Sequence, residues 1–540
     1  MNRFAGTKRL VRLVLRRDRV KLPIAILSIA TFVPILVAGV KEIFSTEEGN
    51  VEQLVVFLSA NPATRLFGLP TGGEMGDLLM LRSFVMFSVA VGLVSTFLVV
   101  RHTRQNEELG RAELVGSASV GRDAGLSAAL IVAFGVNAVI AALSFLGLWL
   151  NDLPIAGSLA MGVSIGLTGL AFAAFAAVIV QIAKSSRGAN ALAALAVGVA
   201  FLMSGLGSVL GKISDSGLEV TPAVTTWLNP IGWGQLMYPY AGEIWWMALV
   251  FIGFIAVCVL GANKLASKRD IGIGLLPEKS GRDRAPKSLL GLGGLASRLY
   301  KGAFIGWAVG IVALAALYGA VASSVQDLLE SAEGAAEIFV DASGTDDIVL
   351  AYLGAIMSIL GVFTLAYSVQ LVLRLRSEEK RALEFLLTSS VDRKKWAITT
   401  ISFVVVSTAL ILLIAATVAG LVAGVAINDL GIIWPLLVGG LIQIPAILVI
   451  VGFVVLVFGV WPRLTNSLAW LALSVGIIFS PFFSSILNLP QWVINVSPFA
   501  HVPIVPPLEN IEALPIVVFS VIATILTAIG VIAFKRRDID

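Results

Sequence analysis

Two acidic segments of the chain share residue types and spacing. The first reads EELGRAEL over residues 107–114 and is followed by Arg122, and the second reads EEKRALEF over residues 378–385 and is followed by Arg393. Aligned without a gap, both contain two adjacent glutamates, a later glutamate, a Ser-Val pair and the closing arginine. Such carboxylates can form charge-assisted hydrogen bonds with a partner or within the chain, although acids that only keep a loop soluble have the same composition. The agreement predicts an internal duplication.

Other kinds of chemistry lack the residues that they need. His102 and His501 are the only histidines, so no histidine-based metal or catalytic cluster is expected. Cys258 is the only cysteine, and it cannot build a disulfide framework or a thiolate metal site. The segment closest to a phosphate-binding loop is 281–288, where Pro286 removes a backbone N–H that would contact phosphate. A membrane enzyme would therefore have no candidate catalytic residues.

The apolar content of the chain requires a membrane. Of its 540 residues, 58% are hydrophobic and 13% are charged, and the mean hydropathy is +0.95. Long, continuous apolar blocks predict helices rather than barrel strands, because a helix satisfies its own backbone hydrogen bonds in lipid. Six blocks precede a polar central segment and six follow it. They cover residues 22–40, 84–100, 124–150, 155–182, 191–210, 244–260, 303–321, 348–373, 397–427, 432–460, 468–487 and 514–534.

The predicted fold is an all-α polytopic membrane protein built as two parallel six-helix repeats. We assign residues 1–263 to the first repeat, 264–290 to a cytoplasmic linker and 291–540 to the second repeat. Two further matches support the duplication: Asn229-Pro230 with Ser497-Pro498, and KRDI at 268–271 with RRDI at 536–539. Both repeats have the same orientation because each contains an even number of spans.

Basic residues predict the orientation of the chain. Of the 38 Lys and Arg residues, only Lys41, Arg65, Arg82 and Lys212 fall on one side, so the other side, with both termini, is expected to be cytoplasmic. The basic stretch 264–301 is expected to face lipid headgroups rather than nucleic acid. Each half also starts with apolar residues at helical spacing among basic ones, which predicts an amphipathic elbow helix, with a plain basic flank as the alternative.

The paired acids with their later glutamate and closing arginine, the Asn229-Pro230 pair and the KRDI ending resemble the type-2 permeases of ATP-binding cassette exporters. With its halves fused, the chain resembles the permeases that export polyketide antibiotics and other drugs. The resemblance implies a bacterial plasma-membrane protein that works with two copies of a cytoplasmic ATPase, which bind ATP and magnesium. The second half departs from the first at Ala382, which replaces Arg111, and at Ser497.

The resemblance also implies site residues. The loops after spans 2 and 8 would form cytoplasmic coupling helices on the ATPase, through Glu107, Glu108, Glu113, Arg122, Glu378, Glu379, Glu384 and Arg393. Spans 2, 5, 8 and 11 would face one substrate path, to which they offer Phe84, Phe87, Thr96, Met203, Tyr367, Gln370, Phe479, Phe482 and Phe483. Adaptable apolar side chains suit amphiphilic drugs or antibiotics, although aromatic residues in membrane helices also serve packing and lipid contact.

The predicted spans favour ATP as the source of energy. None of them contains Asp, Glu, Lys or Arg, whereas an ion-coupled carrier normally needs ionisable groups within the membrane. A twelve-span secondary transporter of the major-facilitator type is the alternative. The charge-free spans and the acidic external loops after spans 1 and 7 argue against it.

The orientation is testable by cysteine labelling. In a Cys258→Ala background, a cysteine introduced at Ser343 should react with a membrane-impermeant thiol reagent on intact cells, because Ser343 lies in a predicted external loop. A cysteine at Ser280, in the predicted cytoplasmic linker, should react only after the cells are opened. The reverse labelling pattern would show that the orientation is wrong.

Overall fold

The computed structural model describes residues 3–43, 51–60, 62–116, 120–269, 272, 274–275, 286–289, 291–324, 348–381, 392–480, 490–503 and 513–537. Over these residues the chain is almost entirely helical. It forms two compact units, Met1–Ser280 and Gly281–Asp540. The boundary between the units falls within the predicted linker.

The first unit contains long helices joined by short ones. They are α1 Thr7–Arg17, α2 Lys21–Ile43, α3 Val51–Ala60, α4 Pro62–Arg65, α5 Met75–His102, α6 Arg104–Glu108, α7 Arg111–Gly116, α8 Ala124–Trp149, α9 Ile155–Ile182, α10 Ser186–Val209, α11 Val224–Trp227, α12 Pro230–Gln235 and α13 Met247–Ala266. Between α10 and α11, the strands β1 Lys212–Ile213 and β2 Val220–Thr221 form a small antiparallel hairpin.

The second unit also consists of long helices joined by short ones. Its helices are α14 Leu292–Val321, α15 Ile348–Arg381, α16 Arg393–Ala426, α17 Ile433–Leu441, α18 Ile444–Val460, α19 Thr465–Ile478, α20 Gln491–Ile494 and α21 Ala513–Arg536. Short 3-10 turns occur at Lys287–Leu289, Ala322–Ser324, Leu430–Ile432 and Pro498–His501.

The all-α polytopic fold is confirmed. In the described part of the chain, 10 helical stretches are long and apolar enough to cross a membrane, and each corresponds to a predicted span. Predicted span 1 is α2, and predicted span 11 is α19, a helix of 14 residues. Predicted span 10 is divided into α17 and α18, because Pro445 cannot donate a hydrogen bond to the preceding turn.

The two halves begin differently. As predicted, α1 is a separate helix, and it packs Val11 and Val14 against the core of the first unit. Residues 18–20 form a turn that separates α1 from α2, and Pro23 near the start of α2 lacks a backbone N–H. The matching residues 292–300 are instead the first turns of α14, which no proline interrupts before Val321. The second predicted elbow helix is therefore continuous with span 7.

The Asn-Pro and Ser-Pro matches serve the same local purpose. Asn229 precedes α12 and accepts a hydrogen bond from the N–H of Gly232 at 2.8 Å, while Pro230 occupies the first turn. Ser497 precedes the 3-10 turn at residues 498–501 and accepts from the N–H of Phe499 at 3.3 Å. Asn and Ser are both good N-terminal caps, and proline suits the first helical position. The departure from Asn to Ser thus keeps the capping side chain.

Glycines allow α18 and α21 to pack closely. A Cβ atom added at Gly459 would overlap the carbonyl oxygen of Gly530, and one added at Gly530 would lie 2.6 Å from the carbonyl oxygen of Val455. Small residues of this kind let helix backbones approach each other in lipid. The close contact fixes the position of α21, whose end carries Arg537.

Replacing Gly459 with alanine should destabilise the protein by about 1–3 kcal/mol, because the added methyl group forces α18 and α21 apart. Gly253 on α13 is the matched control, since a Cβ atom added there meets no atom within 4 Å. Gly253→Ala should be neutral or stabilise the helix by up to about 1 kcal/mol. Thermal unfolding of the purified protein measures both changes. Equal unfolding midpoints for the two variants would argue against the close contact.

Candidate functional site

A largely buried glutamate connects the first acidic segment to the last helix of the first unit. Glu107, on α6, contacts Arg104 at 2.5 Å and two nitrogens of Arg269 at 2.6 and 2.8 Å. Arg269 lies just beyond α13 and also donates to the side-chain oxygen of Gln181 on α9 at 2.6 Å. The side chains of Arg269 and Glu107 are only 8% and 13% exposed. We call Arg104, Glu107 and Arg269 the first arginine–glutamate cluster.

The second unit contains the same arrangement. Glu379, near the end of α15, contacts Arg376 at 2.7 Å and Arg537 at 2.6 Å, and its side chain is fully buried. The guanidinium group of Arg537 lies 5.0 Å from the ring centroid of Phe458 and 5.2 Å from that of Phe534, within range of a cation–π interaction. We call Arg376, Glu379 and Arg537 the second arginine–glutamate cluster. In both clusters, one arginine lies one turn before the glutamate and the other follows the last helix of its unit.

The closing arginine of each acidic segment reaches the same helix end. Arg122 donates hydrogen bonds to the carbonyl oxygens of Ala266 at 3.1 Å and Arg269 at 2.7 Å. Arg393 donates to the carbonyl oxygen of Arg537 at 3.1 Å. Cationic side chains are well placed there, because the last carbonyl groups of a helix have no partner within the helix and carry partial negative charge. Each acidic segment is therefore attached to the last helix of its unit both at its start and at its end.

The contacts correct the gapless alignment of the two segments. That alignment pairs Glu107 with Glu378, whereas the glutamate that contacts both arginines in the second unit is Glu379. The spacing from the cluster glutamate to the closing arginine is one residue longer in the first segment. The arginine three positions earlier decides the register, because residues i and i+3 of a helix share a face. The two adjacent glutamates alone do not decide this register, because either of them could be matched with Glu107.

The other predicted acids have different surroundings. Glu108 accepts hydrogen bonds from the backbone N–H and the hydroxyl of Ser186 at the start of α10. Glu378 accepts a hydrogen bond from the hydroxyl of Tyr300 at 2.8 Å. Glu113, on α7, is exposed and makes no ion pair or side-chain hydrogen bond with any residue that the structure describes. Glu384 lies outside the described residues. Of the predicted acids that are described, Glu113 is thus the one whose side chain makes no contact of this kind within the described residues.

The elbow helix α1 also contacts this region. Arg17 donates to the side-chain oxygen of Asn106 on α6 at 2.6 Å, and Asp18 contacts Arg101 at 2.8 Å and His102 at 2.5 Å. Burial, followed by repulsion from nearby arginines, lowers the pKa of Arg17 below its usual value. Positive charge is therefore concentrated where α1, α5 and α6 meet. The arrangement can hold helix ends together. Within the described residues, no group of acids, histidines and cysteines could hold a metal ion.

The side chains predicted on the substrate path differ in how far they are buried. Four are buried within the core of their own unit: Phe84, Phe87, Thr96 and Tyr367. Two are half-buried, Met203 and Phe479, and Gln370 is exposed. Phe482 and Phe483 lie outside the described residues.

Specific contacts explain the burial of two of these side chains. The hydroxyl of Tyr367 donates to that of Ser407 at 2.7 Å, and the ring of Phe84 fills the space where Gly234 has no side chain. Tyr367 and Phe84 therefore serve packing within their own units. The part that the remaining side chains play in substrate contact stays a prediction.

Four arginines complete the clusters without having been assigned a role from sequence: Arg104, Arg269, Arg376 and Arg537. Two of these arginines could have been found from the matching KRDI and RRDI endings, because Arg269 lies in the first ending and Arg537 in the second. The signal for the other two is an arginine three positions before a glutamate in both segments. Neither pattern states which glutamate the terminal arginine contacts, because that contact joins residues more than a hundred positions apart.

Removing one cluster arginine should destabilise the first unit. Arg269→Ala leaves the buried Glu107 with one cationic partner fewer, and breaking a buried pair in this way costs about 3 kcal/mol. The matched control is Lys268→Ala, because Lys268 is the exposed neighbour and its effect should stay below about 0.5 kcal/mol. The measurement is the unfolding midpoint of each purified variant. Similar midpoints for both variants would mean that the cluster contributes nothing to stability.

Comparison with known proteins agrees with this architecture. Residues 289–535 match the family model for the C-terminal domain of the multidrug efflux system permease Rv1217c. The chain is also similar over its length to the multidrug efflux system permease protein Rv1217c of Mycobacterium tuberculosis, with 34% identity over 541 residues, which cover 99% of this chain and 96% of the relative. Identity at this level over both full chains shows that the two proteins belong to the same family. The chain therefore belongs to the Rv1217c family of multidrug efflux system permeases and is a multi-pass membrane protein.

Proposed function

We propose that the chain is the permease subunit of a type-2 ATP-binding cassette exporter, which moves amphiphilic drugs or antibiotics across a bacterial plasma membrane. The observation that carries the proposal is the recurrence of one arginine–glutamate cluster in both units, each holding an acidic segment against a last helix. Two attachment points of the same design suit two copies of one ATPase subunit, since each copy needs a contact of its own. The multidrug efflux family supplies the class of substrate.

The energy source in this proposal lies outside the chain. The predicted spans contain no Asp, Glu, Lys or Arg, and the sequence offers no phosphate-binding loop. The α5 helix does carry an acid in its first turn, Asp77. Its carboxylate accepts hydrogen bonds from the hydroxyl of Thr71 at 3.0 Å and from the backbone N–H of Glu74 at 3.2 Å, and so caps the helix. In the proposal, ATP and magnesium bind to the partner ATPase, on the cytoplasmic side where both termini lie.

The proposed coupling begins at the exposed acid of each segment. Glu113 contacts the ATPase, and Glu384 does the same in the second half of the duplicated permease. A movement of α7 then reaches α6, where Glu107 holds Arg269 and so pulls on the end of α13. Arg122 transmits the same movement through the backbone of Arg269. Because α6 follows α5 directly, the second and sixth spans of the half move together.

The proposal predicts uncoupling when both exposed acids lose their charge. Glu113→Gln combined with Glu384→Gln should leave membrane insertion and ATPase binding intact, and should lower substrate-stimulated ATP hydrolysis at least about tenfold. The reason is that losing one partner of a desolvated charge pair costs about 2–5 kcal/mol. The measurement uses the complex in liposomes, with Glu278→Gln in the predicted linker as a control that removes one carboxylate charge outside the acidic segments.

Two results would reject the proposal. Wild-type stimulation in the double variant would show that both acids are solvated and play no part in coupling. Purification of an active transporter without any nucleotide-binding subunit would show that the energy does not come from an ATPase partner. The expected result is copurification of a tagged permease with two ATPase copies.

A further inference from the structure

A cavity opens between two helices of the second unit, beside the second arginine–glutamate cluster. Its volume is about 550 Å³, which is large enough for the polar group of a small amphiphile. Gln370, Arg374 and Arg376 line it from α15, and Asn466 and Trp470 line it from α19. On α15, Gln370 and Arg374 are four positions apart, as are Asn466 and Trp470 on α19, so each helix presents two of these side chains on one face. Two polar helix faces therefore meet across the cavity.

The lining of this cavity is rich in hydrogen-bond donors. The side-chain oxygen of Gln370 accepts from the indole N–H of Trp307 at 2.8 Å, which leaves the amide nitrogen of Gln370 to donate. Asn466 and Trp470 supply a further amide and an indole N–H, and neither makes a side-chain hydrogen bond with a residue that the structure describes. No carboxylate belongs to the lining.

Both arginines of the lining are held in position. The guanidinium group of Arg374 lies 5.9 Å from the ring centroid of Tyr300 and donates to the carbonyl oxygen of Leu299 at 3.4 Å. Arg376 donates to Glu379 at 2.7 Å in the second cluster. A guanidinium has five N–H donors, so the hydrogen bond of Arg376 to Glu379 leaves donors of Arg376 for a further acceptor. Arginine that is fixed in this way loses little conformational freedom when it binds a carboxylate or a phosphate.

We propose that this cavity binds the anionic group of an amphiphile, a carboxylate or a phosphate, and that it is the cytoplasmic entrance for such substrates. The entrance assignment rests on the proposed exporter function, whereas the binding itself does not. The apolar part of the ligand lies along α19, where Trp470 and Leu471 are each 57% exposed. The same chemistry could come from a transported acid or from the headgroup of an anionic lipid.

The test measures binding by the full-length permease without its ATPase, in nanodiscs of zwitterionic phosphatidylcholine. The probes are a dansyl-labelled long-chain fatty acid and its primary amide, which are similar in size, although the acid is charged and the amide is neutral. The acid should bind at least about tenfold more tightly, because charge-assisted hydrogen bonds are the stronger ones. Asn466→Asp places a carboxylate in the cavity and should weaken binding of the acid at least about tenfold without affecting the amide.

A control and a contrary result complete this test. Arg298→Gln removes one exposed positive charge from the start of α14 and should leave both affinities unchanged. Equal affinities for acid and amide, or an Asn466→Asp variant that still binds the acid as tightly as the wild type, would overturn the proposal. Arg374→Lys keeps the charge but loses the planar fork, and it should weaken acid binding less than Arg374→Gln does.

Two further measurements distinguish a lipid headgroup from a transported acid, and the anion site from the proposed exporter function. If an anionic lipid occupies the cavity, adding phosphatidylglycerol to the nanodiscs should weaken binding of the acid to the wild-type protein, and a transported acid predicts no such competition. Adding the ATPase then tests transport. Acid binding without stimulation of ATP hydrolysis would keep the anion site and reject its assignment as a substrate entrance. Stimulation by the neutral amide alone would support the exporter function and reject the anion site.

Discussion

A buried carboxylate between two arginines is the interaction on which the organisation of each unit depends. Glu107 and Glu379 have little or no contact with water, so each must be neutralised by charges from its own chain. One of those charges comes from the adjacent turn and the other from beyond the last helix, which holds the acidic segment against the end of that helix. Arg122 and Arg393 use the same helix ends as hydrogen-bond acceptors. The first and last parts of each acidic segment therefore share one anchor.

The remaining architecture serves to bring that anchor into place. In the second unit, Gly459 and Gly530 let the last helix approach its neighbour, and the rings of Phe458 and Phe534 then flank the guanidinium group of Arg537. In the first unit, the side chain of Gln181 on α9 orients Arg269. These supports differ in kind between the units, while the ion pairs that they support are the same. This combination is what a duplication predicts when the contact is essential and its surroundings are free to change.

Much of the fold followed from sequence patterns, and the limits have physical causes. Long apolar runs predicted the membrane helices because length and hydropathy are local properties. The continuity of α14 and the division of span 10 depend on where proline occurs, which was visible but was not used. Glu107 was singled out from the sequence, but its partner Arg269 was not, because their contact depends on how helices pack. The pairing of Glu107 with Glu378 was wrong for the same reason.

The most direct test of this account is a double-mutant cycle in each unit. Glu107→Gln and Arg269→Gln, alone and together, give the interaction free energy of the first pair from the unfolding midpoints of the full-length protein, and Glu379→Gln with Arg537→Gln do so for the second. We predict an interaction of at least about 1.5 kcal/mol in both units, since close, desolvated charge pairs couple at this level. Additive effects in either unit would contradict the claim that one buried ion pair anchors each acidic segment to the last helix of its unit.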